Sequence, residues 1–198
     1  MFWDNIAFAY DGFERAVNRK AYIGMRDLAA AEIEEGDVVL ECACGPGSIT
    51  EYIAPLCRLV YATDMSVGML RQCRKKCVGF DNVRVRRLDM MHINAKDNTF
   101  DKVIAGNVIH LLDDPEAAVR ELARVCKKGG KLIIPTYIGG ENKKASALSG
   151  FVSLMGAHFR EKYTLDSYAD LFDRMGFEEI TITIADGMIP CAVAVITK

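Results

Sequence analysis

Apolar and polar positions divide the chain into helices and strands that follow one another in turn. Residues 11–35 predict a helix: Asp11 with Glu14 three positions on makes a capping box, and Phe13, Val17, Ala21, Met25 and Leu28 recur at helical spacing. DVVLE at 37–41 reads as a short buried strand, a helix follows from about Ser48 to Pro55, and RLVYATD at 58–64 is the next strand. Ser66 is placed to cap a helix running to Cys77. VRVRRLD at 83–89 alternates like a strand with one exposed face, and FDKVIAGN at 100–107 is another buried strand. The helix after it has clear ends: Asp114 as N-cap, Pro115 at the first helical position and Gly129-Gly130 as the stop. KLIIPTYI is a fifth strand, residues 139–163 are irregular, and TLDSYADLFDRMG is a last helix capped by Thr164 and stopped by Gly176. FEEITITIADG and IPCAVAVITK then predict an antiparallel hairpin turning at Asp186-Gly187.

Strands that alternate with helices build βαβ units, hence a mostly parallel sheet with right-handed crossovers. The closing hairpin adds an antiparallel strand. The chain shows no repeat and no linker long enough to divide it, so residues 1–198 are expected to form one domain, with 1–35 as an N-terminal helical cap and 139–163 as a lid over the substrate.

Composition narrows the class of protein. The 198 residues are 51% apolar and 26% charged, with net charge −2 and pI near 6.0, which argues against a general nucleic-acid binder or a membrane-surface protein. No apolar run approaches the roughly 20 residues of a membrane-spanning helix, and the acidic start MFWDNIAFAYDG lacks the basic region of a signal peptide. The seven cysteines form no regular framework and read as reduced thiols, which points to the cytoplasm. Cys42, Cys44, Cys73 and Cys77 lack the paired spacing of a zinc site and are expected to pack, with metal chemistry as the lesser alternative.

The candidate chemistry lies at the carboxyl ends of the strands, where open α/β sheets bind ligands. After the first strand comes ECACGPGSIT, where Gly45 and Gly47 let a ligand approach the backbone and the following helix offers free N–H groups. The second strand ends in Asp64, suited to a ribose diol, and the third in Asp89, suited to an adenine amino group. An adenosine ligand fits all three ends. The third glycine of a dinucleotide loop is missing, and so is the Gly-Lys-Ser/Thr of a phosphate loop.

ECACGPG resembles the acid-x-Gly-x-Gly-x-Gly motif of the class I S-adenosylmethionine-dependent methyltransferases, with Glu41, Ala43, Gly45 and Gly47 at the four positions and Ala43 departing from the commonest form. YATDMSVGML, RLDMMHI and the run FDKVIAGNVIHLLDDPEAAVRELARVCKKGGKLII are similar to the later motifs of that family, in its small-molecule branch of ubiquinone and menaquinone methyltransferases. The resemblance implies a Rossmann-like sheet of seven strands in the order 3-2-1-4-5-7-6, strand 7 antiparallel, with helices on both faces. It implies S-adenosyl-L-methionine as cofactor and S-adenosyl-L-homocysteine as product. Glu41 would fix the methionine part, Asp64 the ribose, Met65 would lie beside the adenine, and Asp89 with Met90 would flank it. Met69 and Asn107 are further cofactor contacts, and Tyr10 resembles a tyrosine that covers the cofactor, with plain packing as its alternative. One of Arg19, Lys20 or Arg26 is a candidate for the methionine carboxylate.

His110, just after the fourth strand, is the candidate general base, with a lining role as the alternative. His158, Tyr163 and the apolar ALSGFVSLMGAHF belong to the lid segment, as pocket wall or as core. Arg71, Arg74, Lys75, Lys76, Arg84, Arg86 and Arg87 form a basic run that would guard a sheet edge against edge pairing. The expected acceptor is a small molecule, without nucleic acid or membrane, in a possible homodimer. A methyltransferase acting on RNA or protein and a non-catalytic adenosine-ligand binder are the alternatives.

Overall fold

The computed structural model describes residues 16–139 and 162–198, together with Trp3, Asp4, Ala7 and Gly12. Its centre is a seven-stranded sheet: β1 (Val38–Cys42), β2 (Leu59–Asp64), β3 (Val83–Arg87), β4 (Phe100–Ala105), β5 (Cys126–Tyr137), β6 (Ile180–Ala185) and β7 (Cys191–Thr197). The order across the sheet is β3-β2-β1-β4-β5-β7-β6, as the resemblance implied. The first five strands run parallel, and β7 lies antiparallel between β5 and β6.

Helices cover both faces, which is why β1 and β4 are almost wholly buried. One apolar cluster joins α1 (Arg19–Ala30), α2 (Ser48–Ile53) and α3 (Val67–Lys76) to the sheet through Met25, Ile53, Leu70, Ile104 and Ile133. The other joins α4 (Pro115–Val125) and α5 (Leu165–Arg174) through Leu122, Phe172, Leu40, Val103 and Ile134. Tyr168 of α5 passes through that second cluster and donates its hydroxyl hydrogen bond to the Ile134 carbonyl of β5.

The caps fall where the sequence placed them. Ser66 Oγ accepts from Met69 N at 3.1 Å, Asp114 Oδ1 accepts from Ala117 N at 2.8 Å, and Thr164 with Ser167 closes a reciprocal box. The exposed arginines Arg84, Arg86 and Arg87 lie on β3, at one edge of the sheet. Among the described residues no helix is long and apolar enough to cross a membrane. All seven cysteines are buried and none is in a disulfide.

The structure departs from the sequence pattern at three places. The first helix was predicted over 11–35, but it is interrupted: Gly12, Ala16 and Val17 are helical, Asn18 breaks the run with φ −129 and ψ 40, and α1 then extends from Arg19 only to Ala30. Asn18 is buried and makes a pair of bonds with a residue 171 positions away: its Nδ2 donates to Ile189 O at 2.7 Å, and its Oδ1 accepts from Ile189 N at 3.2 Å. A long-range amide pair therefore overrides the helical periodicity. The capping box at Asp11 and Glu14 lies outside the described residues.

The second difference is at Gly129-Gly130. The helix stops earlier, at Val125, and the glycines lie inside β5. There the pairing with β4 shifts from Phe100↔Cys126 to Lys102↔Lys131, and Gly129 takes φ 73. The glycines make a bulge in a strand, not the end of a helix. The hairpin turn is also longer than Asp186-Gly187, extending to Pro190, whose carbonyl accepts from Ile138 N at 3.0 Å.

Replacing Asn18 by alanine removes both bonds to the hairpin and strands the Ile189 groups. Asn18→Ala is expected to lower the free energy of unfolding by about 2 kcal/mol. Urea denaturation followed by circular dichroism measures it, and an unchanged midpoint would refute the anchoring role.

Candidate active site

The carboxyl ends of β1 and β2 meet at one loop. Cys44 N donates to Thr63 O of β2 at 2.9 Å, and Gly45 N donates to Asp64 Oδ2 at 3.0 Å. The other oxygen of Asp64 accepts from Ser66 N at 2.8 Å. One carboxylate thus fastens the loop after β1 to the turn after β2. Burial raises the Asp64 pKa above its ordinary value, opposed by these backbone donors. Each carboxylate oxygen has two lone pairs, so Asp64 keeps acceptor capacity for the two hydroxyls of a ribose.

The loop itself is left-handed at three points: Ala43 at φ 52, Gly45 at φ 54 and Gly47 at φ 87. At Gly47 a side chain is also excluded by space, because a Cβ there would lie 2.9 Å from Cys73 Sγ on α3. At Gly45 a Cβ would meet nothing within 4 Å, so glycine serves conformation and leaves the backbone open on that side. Ala43 holds a backbone shape that glycine adopts without strain, at a cost of roughly 1 kcal/mol.

Glu41 is the buried acid of the site, only 2% exposed. Its Oε2 accepts from the Thr50 hydroxyl of α2 at 2.5 Å, and Thr50 Oγ1 lies 4.0 Å from Cys73 Sγ. Burial pushes its pKa up to about 8, with the Thr50 hydrogen bond pulling the other way. The uncompensated desolvation favours the protonated acid at neutral pH, and a cation brought alongside would reverse that preference. Such a site fits an ammonium group. The thiols around it are inert: burial pushes Cys42 up to about 12, and a neighbouring thiol together with burial holds Cys73 and Cys77 above the usual range. Among the described residues no group of three or more His, Cys, Asp or Glu side chains could hold a metal ion.

Met65, 44% exposed, stands open beside Asp64, whereas Met69 and Met90 are buried. Asp89 Oδ1 accepts from Met91 N at 2.9 Å and Oδ2 lies 3.6 Å from His92 Nδ1. Asn107, at φ 51, turns its side chain inward: Nδ2 lies 3.3 Å from Met25 Sδ, and Cys191 Sγ is 3.9 Å from Oδ1. It therefore ties the end of β4 to α1 and β7. Tyr10 and His158 lie outside the described residues, as does the lid segment apart from Gly139, Lys162 and Tyr163.

His110 is 4% exposed, in a short 3-10 turn after β4, with Nδ1 at 3.0 Å from Thr136 Oγ1 of β5. Burial pushes its pKa down to about 4, so the imidazole is uncharged at neutral pH. Of the three candidate cations, Arg19 and Lys20 are exposed. The Arg26 guanidinium sits over the rings of Tyr52 and Tyr22, at 4.2 and 5.2 Å from their centroids, and its buried Nε takes no hydrogen-bond partner among the described residues.

Two contributors carry no sequence signal. Thr50 reads as an ordinary helix residue until α2 brings it against Glu41. Asp4 reaches across 62 residues to Ser66 Oγ at 2.7 Å and also accepts from Gly68 N at 2.8 Å; these donors, Gly68 first, lower its pKa to about 2. It seats the start of the chain on the first turn of α3, next to Asp64.

The strain at Ala43 has a measurable consequence. Ala43→Gly is expected to raise the free energy of unfolding by about 1 kcal/mol, read from urea denaturation. A loss of stability of similar size would show that the alanine methyl packs more than its backbone strains.

Comparison with known proteins agrees with this geometry. A family model described as "Methyltransferase domain" matches residues 40–134. Over 136 residues the chain is 34% identical to a demethylmenaquinone methyltransferase of Thermobifida fusca, covering 67% of this chain and 58% of that protein's length. It is 32% identical over 141 residues to a phosphatidylethanolamine N-methyltransferase of Cereibacter sphaeroides, covering 67% of this chain and 68% of that one. A SAM-dependent methyltransferase from Aquifex aeolicus shares the fold, with TM-score 0.75, 22% identity and 98% of each chain covered. The chain belongs to the S-adenosylmethionine-dependent methyltransferase family.

Proposed function

We propose that this protein transfers the methyl group of S-adenosylmethionine to a small-molecule acceptor. The observation that carries the reading is the convergence of Glu41, the left-handed loop and Asp64 at the ends of β1 and β2, at the same carboxyl end of the sheet as His110 and Thr136. When bound, S-adenosylmethionine supplies a methyl group already activated by its sulfonium, so the chain's own task is to hold the acceptor in line at roughly 3 Å and to keep water out.

The residues divide that work. Glu41 takes the ammonium group, Gly45 and Gly47 present open backbone, Asp64 takes the ribose hydroxyls, and Met65 and Asp89 meet the adenine. Met69 and Met90 support that side from within the core, Asn107 holds β4 in place, and Arg26 takes the methionine carboxylate. His110, uncharged and bonded to Thr136, lines the acceptor side. With its low pKa it is a weak proton acceptor, which suits a nucleophile that already carries a free lone pair.

The acceptor class rests on the relatives. Among them are enzymes named for demethylmenaquinone and for phosphatidylethanolamine. The basic edge at Arg84, Arg86 and Arg87 favours a second reading, a macromolecular acceptor, but it lies three strands from β4, where His110 stands.

Isothermal titration tests the cofactor reading. S-adenosylmethionine and S-adenosylhomocysteine are expected to bind at micromolar concentration, NAD not at all, and Asp64→Ala to weaken both ligands at least about tenfold. Binding of NAD in their place, or an unaffected Asp64→Ala variant, would overturn it.

Glu41 adds a pH signature. Its pKa near 8 in the free protein leaves it mostly protonated at pH 7. A bound ammonium lowers that pKa, so binding releases a proton and affinity rises with pH until about 8. Titrations in buffers of different ionisation enthalpy are expected to show close to one proton released at pH 7, and none for Glu41→Gln. Equal proton release in the variant would assign the signal to another group.

A further inference from the structure

The segment 88–99 joins β3 to β4 and carries Asp89 and Met90. Asp89 begins a turn closed by His92 N donating to Asp89 O at 3.0 Å, and Ala95 N donates to Ile93 O at 2.7 Å just after it. At the start of the segment Leu88 N donates to Asp64 O of β2 at 3.2 Å; beyond Asp89 the side chains that hold the segment against the body of the protein come from α4. Ile93 N donates to Glu121 Oε1 at 2.7 Å, and Arg124 Nη2 donates back to Ile93 O at 2.8 Å. Arg124 Nη1 donates to Ala95 O at 2.9 Å and to Asp97 Oδ1 at 2.7 Å. Its Nε and Nη2 grip the two oxygens of Glu121 at 2.7 and 2.9 Å.

A guanidinium has five N–H donors. Here each has an acceptor, and both backbone groups of Ile93 are used. The Arg124 guanidinium holds the Glu121 carboxyl below its ordinary pKa. An isolated surface ion pair contributes little. This pair differs because it is bidentate and because it also fixes backbone groups of a segment with no regular structure of its own. Ile93 and Met90 are buried in the same apolar cluster as Leu122 of α4, so packing and hydrogen bonds act on one turn.

We propose that Glu121 and Arg124 are positioning residues for base recognition: they clamp the turn that sets Asp89 against the amino group of adenine. The inference rests on the reading of Asp89 as the adenine contact. A carboxylate there accepts from the adenine amino group and repels the carbonyl oxygen that hypoxanthine carries in its place, so a correctly set Asp89 discriminates between the two bases.

The test compares S-adenosylhomocysteine with S-inosylhomocysteine by isothermal titration in wild type, Asp89→Ala, Arg124→Lys and Glu121→Gln. Arg124→Lys keeps the charge and loses the fork. Glu121→Gln keeps an acceptor for Ile93 N–H and is the milder variant, to be read alone where Arg124→Lys does not fold by thermal melting. The expected result is a wild-type preference for the adenine ligand that Asp89→Ala abolishes. The α4 variants should shrink that preference and weaken S-adenosylhomocysteine about tenfold. A purely structural role would lower the melting temperature and leave the base preference intact; that outcome overturns the clamp. A preference that survives Asp89→Ala overturns instead the adenine reading on which the clamp rests.

Discussion

The carboxylate of Asp64 is the contact on which the site depends. It joins two loops that leave different strands, accepting from Gly45 on one side and from Ser66 on the other. A parallel sheet makes such a contact possible, because β1 and β2 end side by side and release their loops in the same direction. The loop after β1 has little else to define it: three successive left-handed residues at alternate positions make a backbone that neither helix nor strand would hold. The side chain proposed to take the ribose hydroxyls is also part of the frame.

Burial does the rest of the chemistry. The same apolar packing that closes the core around β1 strips water from Glu41 and leaves it, among the described residues, one hydroxyl partner, Thr50. An acid so placed waits for a positive charge. On the far side of β4, burial acts on His110 in the opposite sense and removes its charge. Two titratable groups at neighbouring strand ends are thereby kept mostly uncharged at neutral pH. The same desolvation keeps the Cys42 thiol protonated.

Outside this centre, the polar contacts that shape the site span long stretches of sequence. Asp4 seats the start of the chain on α3, Asn18 docks α1 on the β6–β7 connection, and Arg124 with Glu121 secures the segment after β3. The last two join a regular element to an irregular one. Irregular segments have no hydrogen-bond ladder of their own, and side chains from elsewhere supply the missing partners.

By itself the sequence determined the order and type of the elements, because apolar periodicity, caps at Ser66, Asp114 and Thr164, and the glycine loop are local signals within one or two turns. That Glu41, Gly45, Gly47 and Asp64 would lie together was legible for the same reason: parallel strands release their loops at one end of the sheet, so a residue's place in its own strand fixes its neighbours there. Tertiary structure alone decided that Asn18 would break the first helix, that Gly129-Gly130 would bulge a strand, and that Asn107 would turn inward toward Met25. It also decided that Thr50 would meet Glu41. These outcomes depend on partners brought together only by folding, and a buried polar group must be satisfied by whatever the fold places beside it.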